Sequence, residues 1–470
     1  MDLLAGRPRC DVRSPCRIRR GRAVQPVQGV ARGTWLLHRP WRRGPGGHAP
    51  RQRFGLTTVT VDGITLDRLR HTLPPDTERP ASHYSIDGVT PAIAFAPSDP
   101  SEVATLLRAV DEAGLAVAPV GARTASSLGR PLARYDVALD LRGLDRIIEY
   151  VPEDLVVTMQ AGVTLAALQA TLQEHGQYLP VDPPPGDELT IGGLLASARS
   201  GAWRGHLPAA RDLILGMRVA LPSGELVTSG GRVVKNVTGY DLHRMHTGAL
   251  GAFGVIVEAT FKVSPLPAAV RTLLLSAASI EACGTVARSV WDAGLAVRAI
   301  SVLGARAADA AMLAPVPCVL VEAAGSTASV ERTVRELRVI APGAGESPPK
   351  AWARLRRLAA GPGATVLRLG VPPAEVETSV AALERSGLTA WAHLAAGSVI
   401  ARGEIAASEV EALRGVAVER GGFLQVEVAS AALRTETDPM GEQERTLVGA
   451  LKQQFDPRGT VNLGRWGTGL

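Results

Sequence analysis

The 470-residue sequence contains no uninterrupted apolar run that approaches the roughly 18 residues of a membrane helix. The best candidate, residues 248–257, is broken by glycines and is followed by Glu258. A membrane-spanning protein is therefore not indicated. We expect a cytoplasmic protein, and peripheral association with the inner face of the cell membrane through partners is left open.

Cysteine is scarce, and its spacing excludes several kinds of site. Cys10, Cys16, Cys283 and Cys318 form no C-x-x-C pair. Neither an iron–sulfur cluster nor a structural zinc site is suggested by this pattern. Two of the four cysteines lie in the first 53 residues, so a disulfide framework is not expected, and a reducing compartment fits best.

Three common catalytic or nucleotide-binding motifs are missing. No G-x-G-x-x-G follows a predicted strand, no G-K-[ST] occurs, and no G-x-S-x-G occurs. A Rossmann dinucleotide site, a phosphate loop and a hydrolase nucleophile elbow are therefore unsupported. His243 and His246, at i and i+3, could ligate a metal, but we expect packed or solvent-facing histidines and predict no metal site.

Lysine is rare, and the positive charge is concentrated near the N-terminus. Residues 1–53 contain 13 arginines against two aspartates, which leaves 38 basic and 43 acidic residues, a net charge of −5, in the remainder. We interpret residues 1–55 as a disordered basic arm or a mis-called start; a tether to nucleic acid or an anionic membrane is the alternative. No nucleic-acid binding is expected of the folded body. Residues 56–85 are predicted to be a linker.

Regular structure is predicted from residue 91 onward. Asp99 fits a helix N-cap, Pro100 the first helical position and Glu102 the reciprocal position of a capping box. A buried strand is predicted over residues 115–120. Hairpins, a helix capped by Thr164 and a proline-rich loop at residues 182–185 follow.

Two turns of small residues are candidates for phosphate binding. Residues 121–129 (GARTASSLG) come directly after the buried strand, so consecutive backbone N–H groups could converge on an anion. Residues 190–198 (TIGGLLASA) allow close backbone approach, and we expect free N–H donors at the start of the helix that follows. An ordinary loop and tight helix packing remain the structural alternatives.

Beyond residue 267 helical and strand patterns alternate. Helices are predicted near residues 280–293, 329–340, 374–385 and 442–454, and six strands are predicted between residues 297 and 428. This pattern indicates an α+β cap with a helix-backed antiparallel sheet.

Taken in order, these segments resemble the FAD-binding domain of the PCMH type, in the vanillyl-alcohol oxidase superfamily. Within it, the chain is most similar to FAD-binding subunits of glycolate oxidase. The resemblance depends on residues 119–129, 153–163, 176–184, 190–193, 211–213 and 230–242, and on the segment 455–465.

The resemblance implies an α+β fold: a two-subdomain FAD-binding domain over 86–267, an α+β cap or docking domain over 268–454, and a segment over 455–470 that returns to the FAD domain. It also implies which residues contact the FAD; we assign no catalytic residue. The implied cofactor-binding residues are Gly121, Ala122, Arg123, Thr124, Ser126, Pro183, Thr190, Gly192, Gly193, Ala196, Val255 and Ile256.

Two absences relative to the family narrow the expected function. Members with covalent flavin carry a histidine in the first turn, and this chain has none, so noncovalent FAD is expected. Catalytic 2-hydroxyacid dehydrogenases of the family carry a histidine-rich motif near the C-terminus, whereas His393 is the only histidine after His246. A general base with a pKa near neutrality is thus not evident.

We therefore expect an FAD-binding subunit of a glycolate oxidase-like complex that transfers electrons. A catalytic flavin subunit and an iron–sulfur subunit would be its partners. The alternative is a stand-alone FAD-dependent oxidoreductase that acts on another hydroxylated substrate. A flavin-free scaffold or nucleic-acid-binding protein is the third class.

Overall fold

The computed structural model of the chain describes residues 61–467, except residues 185, 187, 233–238, 362 and 438–441. The predicted basic arm, the predicted linker up to residue 60, and residues 233–238 of segment 230–242 lie outside the described residues. We call residues 61–265 the N-terminal region and residues 269–428 the sheet region.

Helix starts in the N-terminal region follow from their caps. Asp99 accepts a hydrogen bond from Ser101 N, and Glu102 closes the predicted capping box. Thr164 caps the next long helix through Ala167 N. Both predicted helices are confirmed. The helices are α1 (Gly63–Arg70), α2 (Pro100–Glu112), α3 (Leu165–Gln173), α4 (Ile191–Ser197), α5 (Ala210–Leu213) and α6 (Leu242–His246).

The strands of the N-terminal region form a mainly parallel sheet, an antiparallel sheet and a two-stranded pair. The strands are β1 (Glu78–Arg79), β2 (Ile93–Phe95), β3 (Val117–Val120), β4 (Val137–Asp140), β5 (Ile147–Val151), β6 (Val156–Gln160), β7 (Gln177–Tyr178), β8 (Ile214–Ala220), β9 (Leu226–Gly230), β10 (Val255–Lys262) and β11 (Ser264–Pro265).

The two larger sheets have distinct hydrogen-bonding patterns. The first has the order β1-β2-β4-β3, with β4 parallel to both β2 and β3. The second has the order β5-β6-β10-β8-β9 and is antiparallel throughout. Parallel strands are usually buried on both faces, and β2 and β4 are fully buried along their length. The loop after β3 is therefore positioned by a rigid scaffold.

The stretch that the sequence predicted to be a linker contains regular structure. Helix α1 begins after Asp62, whose side chain accepts from Thr65 N, and buries Leu69. Leu69 and Leu73 pack with Val103 and Leu107 of α2. The apolar positions of this short helix are few, which is why periodicity did not reveal it.

The sheet region is an eight-stranded antiparallel sheet backed by helices, which confirms the predicted α+β cap architecture. Its strands are β12 (Ala269–Ser276), β13 (Val297–Leu303), β14 (Cys318–Gly325), β15 (Gly345–Glu346), β16 (Thr365–Gly370), β17 (Thr389–His393), β18 (Ser398–Gly403) and β19 (Phe423–Val428). The strand order is β15-β12-β14-β13-β17-β18-β16-β19. Its helices are α7 (Ile280–Asp292), α8 (Ala305–Ala310), α9 (Thr327–Ile340), α10 (Ala351–Leu358), α11 (Val376–Arg385) and α12 (Ala407–Glu419).

After the sheet region come α13 (Ala431–Glu436) and α14 (Glu442–Phe455). The chain then packs on β3: Val117 N donates to Thr460 O at 2.7 Å, and Asn462 N donates to Val117 O at 3.0 Å. Residues 460–462 thereby extend the first sheet beyond β3 as a short parallel bridge. Within the described part of the chain, no helix combines the length and apolarity that crossing a bilayer requires.

Candidate functional site

Eleven of the twelve residues predicted to contact the cofactor line a single cleft in the N-terminal region. The cleft has about 920 Å³ of space not filled by atoms, including its open mouth. Its predicted lining residues are Gly121, Ala122, Arg123, Thr124, Ser126, Thr190, Gly192, Gly193, Ala196, Val255 and Ile256. The two turns, about 70 residues apart in sequence, thus lie side by side.

The first turn leaves a row of backbone amides available. Arg123 adopts a left-handed conformation with φ of 59°. Among the described residues, none accepts a hydrogen bond from the amides of Ala122, Arg123, Thr124 or Ala125. A left-handed residue within a turn makes successive N–H groups converge, which is the geometry of an anion-binding nest.

The second turn is built differently from the prediction. Ile191 N donates to Val163 O and Gly192 N to Ala161 O, while Gly193 N donates to the capping side chain of Thr190. The expectation of free N–H donors at the start of α4 was therefore wrong for these three amides. These three amides are already hydrogen-bonded to Val163 O, Ala161 O and the Thr190 side chain. The sequence alone could not show this.

The glycines of both turns are required by close packing. A Cβ at Gly121 would overlap Thr190 Oγ1, and a Cβ at Gly192 would lie 3.0 Å from the Ala161 Cβ. The second turn therefore serves as a wall that approaches the first turn closely. Val255 and Ile256, at the start of β10, are buried and line the cleft beside these turns.

The charge of the cleft is entirely positive. Among the described residues that line it, Arg123 and Arg465 are charged, and none is Asp, Glu, His, Cys or Tyr. The guanidinium of Arg123 donates to His83 O. Arg465 and Asn462 come from the C-terminal segment, and no motif in the sequence indicated either residue. The resemblance of residues 455–465 to the family's closing segment was the signal that could have indicated them.

Pro183 is the predicted residue that the structure does not place in this cleft. It lines a neighbouring open groove together with Asp182, Trp203 and Arg356. Asp182 Oδ2 accepts from Trp203 N at 3.2 Å, which holds the proline loop toward that groove. Burial raises the pKa of Asp182 to about 7. This near-neutral carboxyl group was not found from the sequence, because its burial depends on distant segments.

A buried polar centre, formed by Arg199, Arg368 and Glu427, lies where the sheet region meets the first turn. Glu427 of β19 forms ion pairs with Arg199 and with Arg368, the former at 2.7 Å. Arg368 also donates to Ser398 Oγ at 2.6 Å. Although burial alone would raise it, the pKa of Glu427 is held at about 2 by Arg368 and Arg199. Ser127 Oγ donates to Glu427 O, which connects this centre to the first turn.

The three histidines considered above are engaged by other groups. His243 Nδ1 shares a hydrogen bond with Ser229 Oγ, and His246 packs against Phe253 and Phe455. Burial lowers the pKa of His246 to about 4. His393 shares a hydrogen bond with Ser301, and burial beside Arg368 lowers its pKa to about 3. Neither His246 nor His393 is therefore a base with a pKa near neutrality, and burial also lowers the pKa of His243.

The polar segment that carries the most specific part of the resemblance is described only in part. Residues 233–238 lie outside the described residues. Tyr240 is exposed, and Ser229 Oγ donates to Tyr240 O. Lys235 and Asn236 are among the residues outside the described part of the chain.

A mixed helix and sheet fold with an amide nest, closely packed glycines and two arginines in one cleft has the features of a protein that binds an anionic ligand. Comparison with known families specifies which one. Residues 91–230 match the family described as "FAD binding domain". These residues are therefore similar to a known FAD-binding domain.

Curated relatives match over part of their length. The chain is 38% identical over 168 residues, 36% of this chain and 47% of the relative, to "Glycolate oxidase subunit GlcE" of Escherichia coli strain K12. It is 31% identical over 193 residues, 41% of either chain, to "Glycolate oxidase subunit GlcD" of Bacillus subtilis strain 168. The chain thus spans less than half the length of these relatives.

Solved structures extend the likeness to the sheet region. A structure of p-cresol methylhydroxylase with substrate bound has a TM-score of 0.67 with this chain, at 16% sequence identity. The similarity covers 87% of this chain and 98% of the other. At this identity the likeness concerns the fold, and it confirms the predicted PCMH-type architecture.

Proposed function

We propose that this chain is the FAD-binding subunit of a glycolate oxidase-like complex, in which it holds noncovalent FAD for electron transfer. The observation that carries the proposal is the amide nest of the first turn, enclosed by the glycine wall of the second turn. The similarity to glycolate oxidase subunits GlcE and GlcD supports the class of complex.

The residues present fit the cofactor. The free amides of residues 122–125 would hold the diphosphate, while Gly121 and Gly192 allow Thr190 and Ala161 to pack closely beside that turn. Val255 and Ile256 would meet the cofactor along the start of β10. Bound FAD supplies the two-electron and one-electron chemistry, whereas the protein positions it and excludes water.

Noncovalent attachment is supported by the composition of the cleft. A covalent flavin requires a nucleophilic side chain, and the described residues lining the cleft include no histidine, cysteine or tyrosine. We therefore expect all of the flavin to be released when the protein is denatured.

A role as a subunit is supported by the state of the buried polar centre. Arg368 and Arg199 are both paired with Glu427, so their charges are already offset by a carboxylate of the protein. His393 beside them has its pKa lowered to about 3 and is a poor proton acceptor near neutral pH. Oxidation of the hydroxyacid would then occur on a separate catalytic flavin subunit, and an iron–sulfur subunit would receive electrons.

Purification from a host that co-expresses the neighbouring genes tests this proposal. We expect a yellow preparation whose flavin stays in the supernatant after acid precipitation of the protein, and partner chains that co-elute. The purified chain alone should not oxidise glycolate with an artificial electron acceptor. A colourless protein that takes up no FAD on reconstitution, or rapid glycolate oxidation by the lone chain, would contradict it.

One observation favours the second candidate, a stand-alone oxidoreductase acting on another hydroxylated substrate. Asp182 has a pKa of about 7 and lines an open groove between the N-terminal and sheet regions. A carboxylate with this pKa is suited to general base catalysis near neutral pH. A panel of small alcohols and hydroxyacids distinguishes the candidates: turnover by the lone chain that Asp182→Asn reduces at least 100-fold would favour the stand-alone enzyme.

A further inference from the structure

Arg465 carries a positive charge from the C-terminal segment into the cleft. Its Nη1 donates to Ser126 O at 2.9 Å and to Arg130 O at 3.2 Å, and Arg130 N donates back to Arg465 O at 2.9 Å. These bonds fix the side chain against the turn that holds the free amides. Arg465 is 6% exposed and lines the cleft.

Arg465 differs from the other buried cations of the described structure. Arg199 and Arg368 are paired with Glu427, Arg434 with Asp87, and Lys452 with Asp456. Of the five buried Lys and Arg side chains among the described residues, Arg465 alone forms no ion pair with a described carboxylate. A buried charge without a counterion is costly.

The missing counterion is expected to be a ligand. Burial lowers the pKa of Arg465 to about 10, the neighbouring charge of Arg434 contributes in the same direction, and Asp87, which is ion-paired with Arg434, and Tyr135 oppose the shift only in part. Within the described cleft lining there is no carboxylate to offset this charge, and the amides of residues 122–125 present further donors to the same space. An anion with oxygens on more than one side can accept hydrogen bonds from both the Arg465 guanidinium and these amides. A guanidinium group commonly binds phosphate through two parallel N–H···O bonds.

We propose that Arg465 is the counterion of the cofactor's diphosphate, a cofactor-binding residue contributed by the C-terminal segment. This inference depends on the proposed function, because it assigns the diphosphate of FAD to the cleft. In this arrangement the backbone amides of residues 122–125 position the diphosphate, and the Arg465 guanidinium neutralises its charge.

The test compares FAD affinity and stability in Arg465→Met, Arg465→Lys and Arg458→Met. Arg458 belongs to the same segment but pairs with Asp111 at the surface, so it controls for removing one positive charge. Flavin-stripped proteins are titrated with FAD, with riboflavin, which lacks the diphosphate, and with inorganic pyrophosphate. Their melting temperatures are measured without ligand.

We expect Arg465→Met to weaken FAD and pyrophosphate binding about 10–100-fold and riboflavin binding less than threefold, with no lower melting temperature for the stripped protein. Arg465→Lys should lose less than Arg465→Met, and Arg458→Met should bind as the wild type does. Wild-type FAD affinity in Arg465→Met would overturn the inference, as would an equal loss for FAD and riboflavin together with a lower melting temperature.

The outcome is separable from that of the proposed function. A wild-type protein that binds no FAD contradicts the proposed function. Pyrophosphate binding that Arg465→Met abolishes would still support an anion site at this residue, and wild-type pyrophosphate binding in that variant would refute it.

Discussion

The cleft and the buried polar centre are neighbours that differ in whether their positive charges are paired with a carboxylate. The cleft presents main-chain amides and two arginines with no carboxylate among its described lining residues. The polar centre holds two arginines around Glu427, with that carboxylate shared between them. Ser127, in the first turn, contacts Glu427 O and so lies between the two.

This difference shows that burial of charge has two uses within one fold. Paired charges in the polar centre fasten the sheet region to the N-terminal region, and their cost is offset internally. In the cleft, no described lining residue is a carboxylate that could offset the charge of Arg465, so we expect a bound anion to offset it. The presence of a buried arginine therefore says little about function until its partners are known.

Removal of the shared carboxylate should have the largest effect on stability. Glu427→Gln leaves Arg199 and Arg368 buried without a negative charge, and we expect a loss of about 3–5 kcal/mol in the free energy of unfolding. Urea denaturation measures this loss. The matched control is Glu346→Gln, which breaks the exposed pair with Arg271 and should lower stability far less, because solvent screens that pair. Equal losses of unfolding free energy in the two variants would show that the buried ion pairs of the polar centre stabilise the protein no more than an exposed pair.

The pH dependence of stability tests the groove beside the cleft. The pKa of Asp182 rises from 3.8 to about 7 on folding, so the buried group favours its protonated form. Its stabilising contribution is complete below about pH 4 and is lost as the pH rises through 7, by roughly 4 kcal/mol. Asp182→Asn should not show this loss.

The measurement is the difference in unfolding free energy between Asp182→Asn and wild type at pH 4, 5.5 and 7. We expect the difference to increase in favour of the variant with rising pH. Other titrating groups, such as His246, contribute to both proteins and cancel in this difference. A difference that stays constant over this range would show that Asp182 is not protonated in the folded protein.

The close approach of the two turns predicts an affinity effect of intermediate size. Gly121→Ala places a methyl group against Thr190 Oγ1. We expect FAD affinity to fall about 100-fold, roughly 2.7 kcal/mol. Gly415→Ala, at a position in α12 where a Cβ meets nothing within 4 Å, is the matched control and should bind FAD as the wild type does. Undiminished affinity in Gly121→Ala would mean that the cofactor does not use this turn.

The smallest predicted effect concerns the left-handed residue of the nest. With φ of 59° at position 123, Arg123→Gly should be more stable than Arg123→Ala by about 1 kcal/mol. Both variants lose the bond to His83 O, so the comparison isolates the backbone. In an ordinary helical position the order is reversed by about 0.5–1 kcal/mol. Thermal unfolding of the two flavin-free variants measures the sign.

The elements that sequence patterns predicted well are those with local causes. Asp99, Pro100 and Glu102 define the start of α2 within four residues, and Thr164 does the same for α3. Alternating apolar residues located strands such as Phe423–Val428 in the sheet region. Local hydrogen bonds and periodicity determine these features, so the chain segment itself contains the information.

The features that sequence patterns missed depend on distant segments. Which amides remain free in the second turn depends on Ala161 and Val163, nearly 30 residues earlier. The pairing of Arg199 with Glu427 joins residues 228 positions apart, and burial of Asp182 depends on the sheet region. The glycine turns suggested where an anion would bind, but not which groups would meet it.

The C-terminal segment has a consequence for how the protein is made. Arg465 contacts Ser126 across 339 residues, and Asn462 completes the edge of β3. A ribosome has therefore released the first turn long before the residues that close the cleft are synthesised. We therefore expect flavin uptake to follow synthesis of the C-terminal segment, because nascent chains or fragments that stop before residue 460 lack both Asn462 and Arg465.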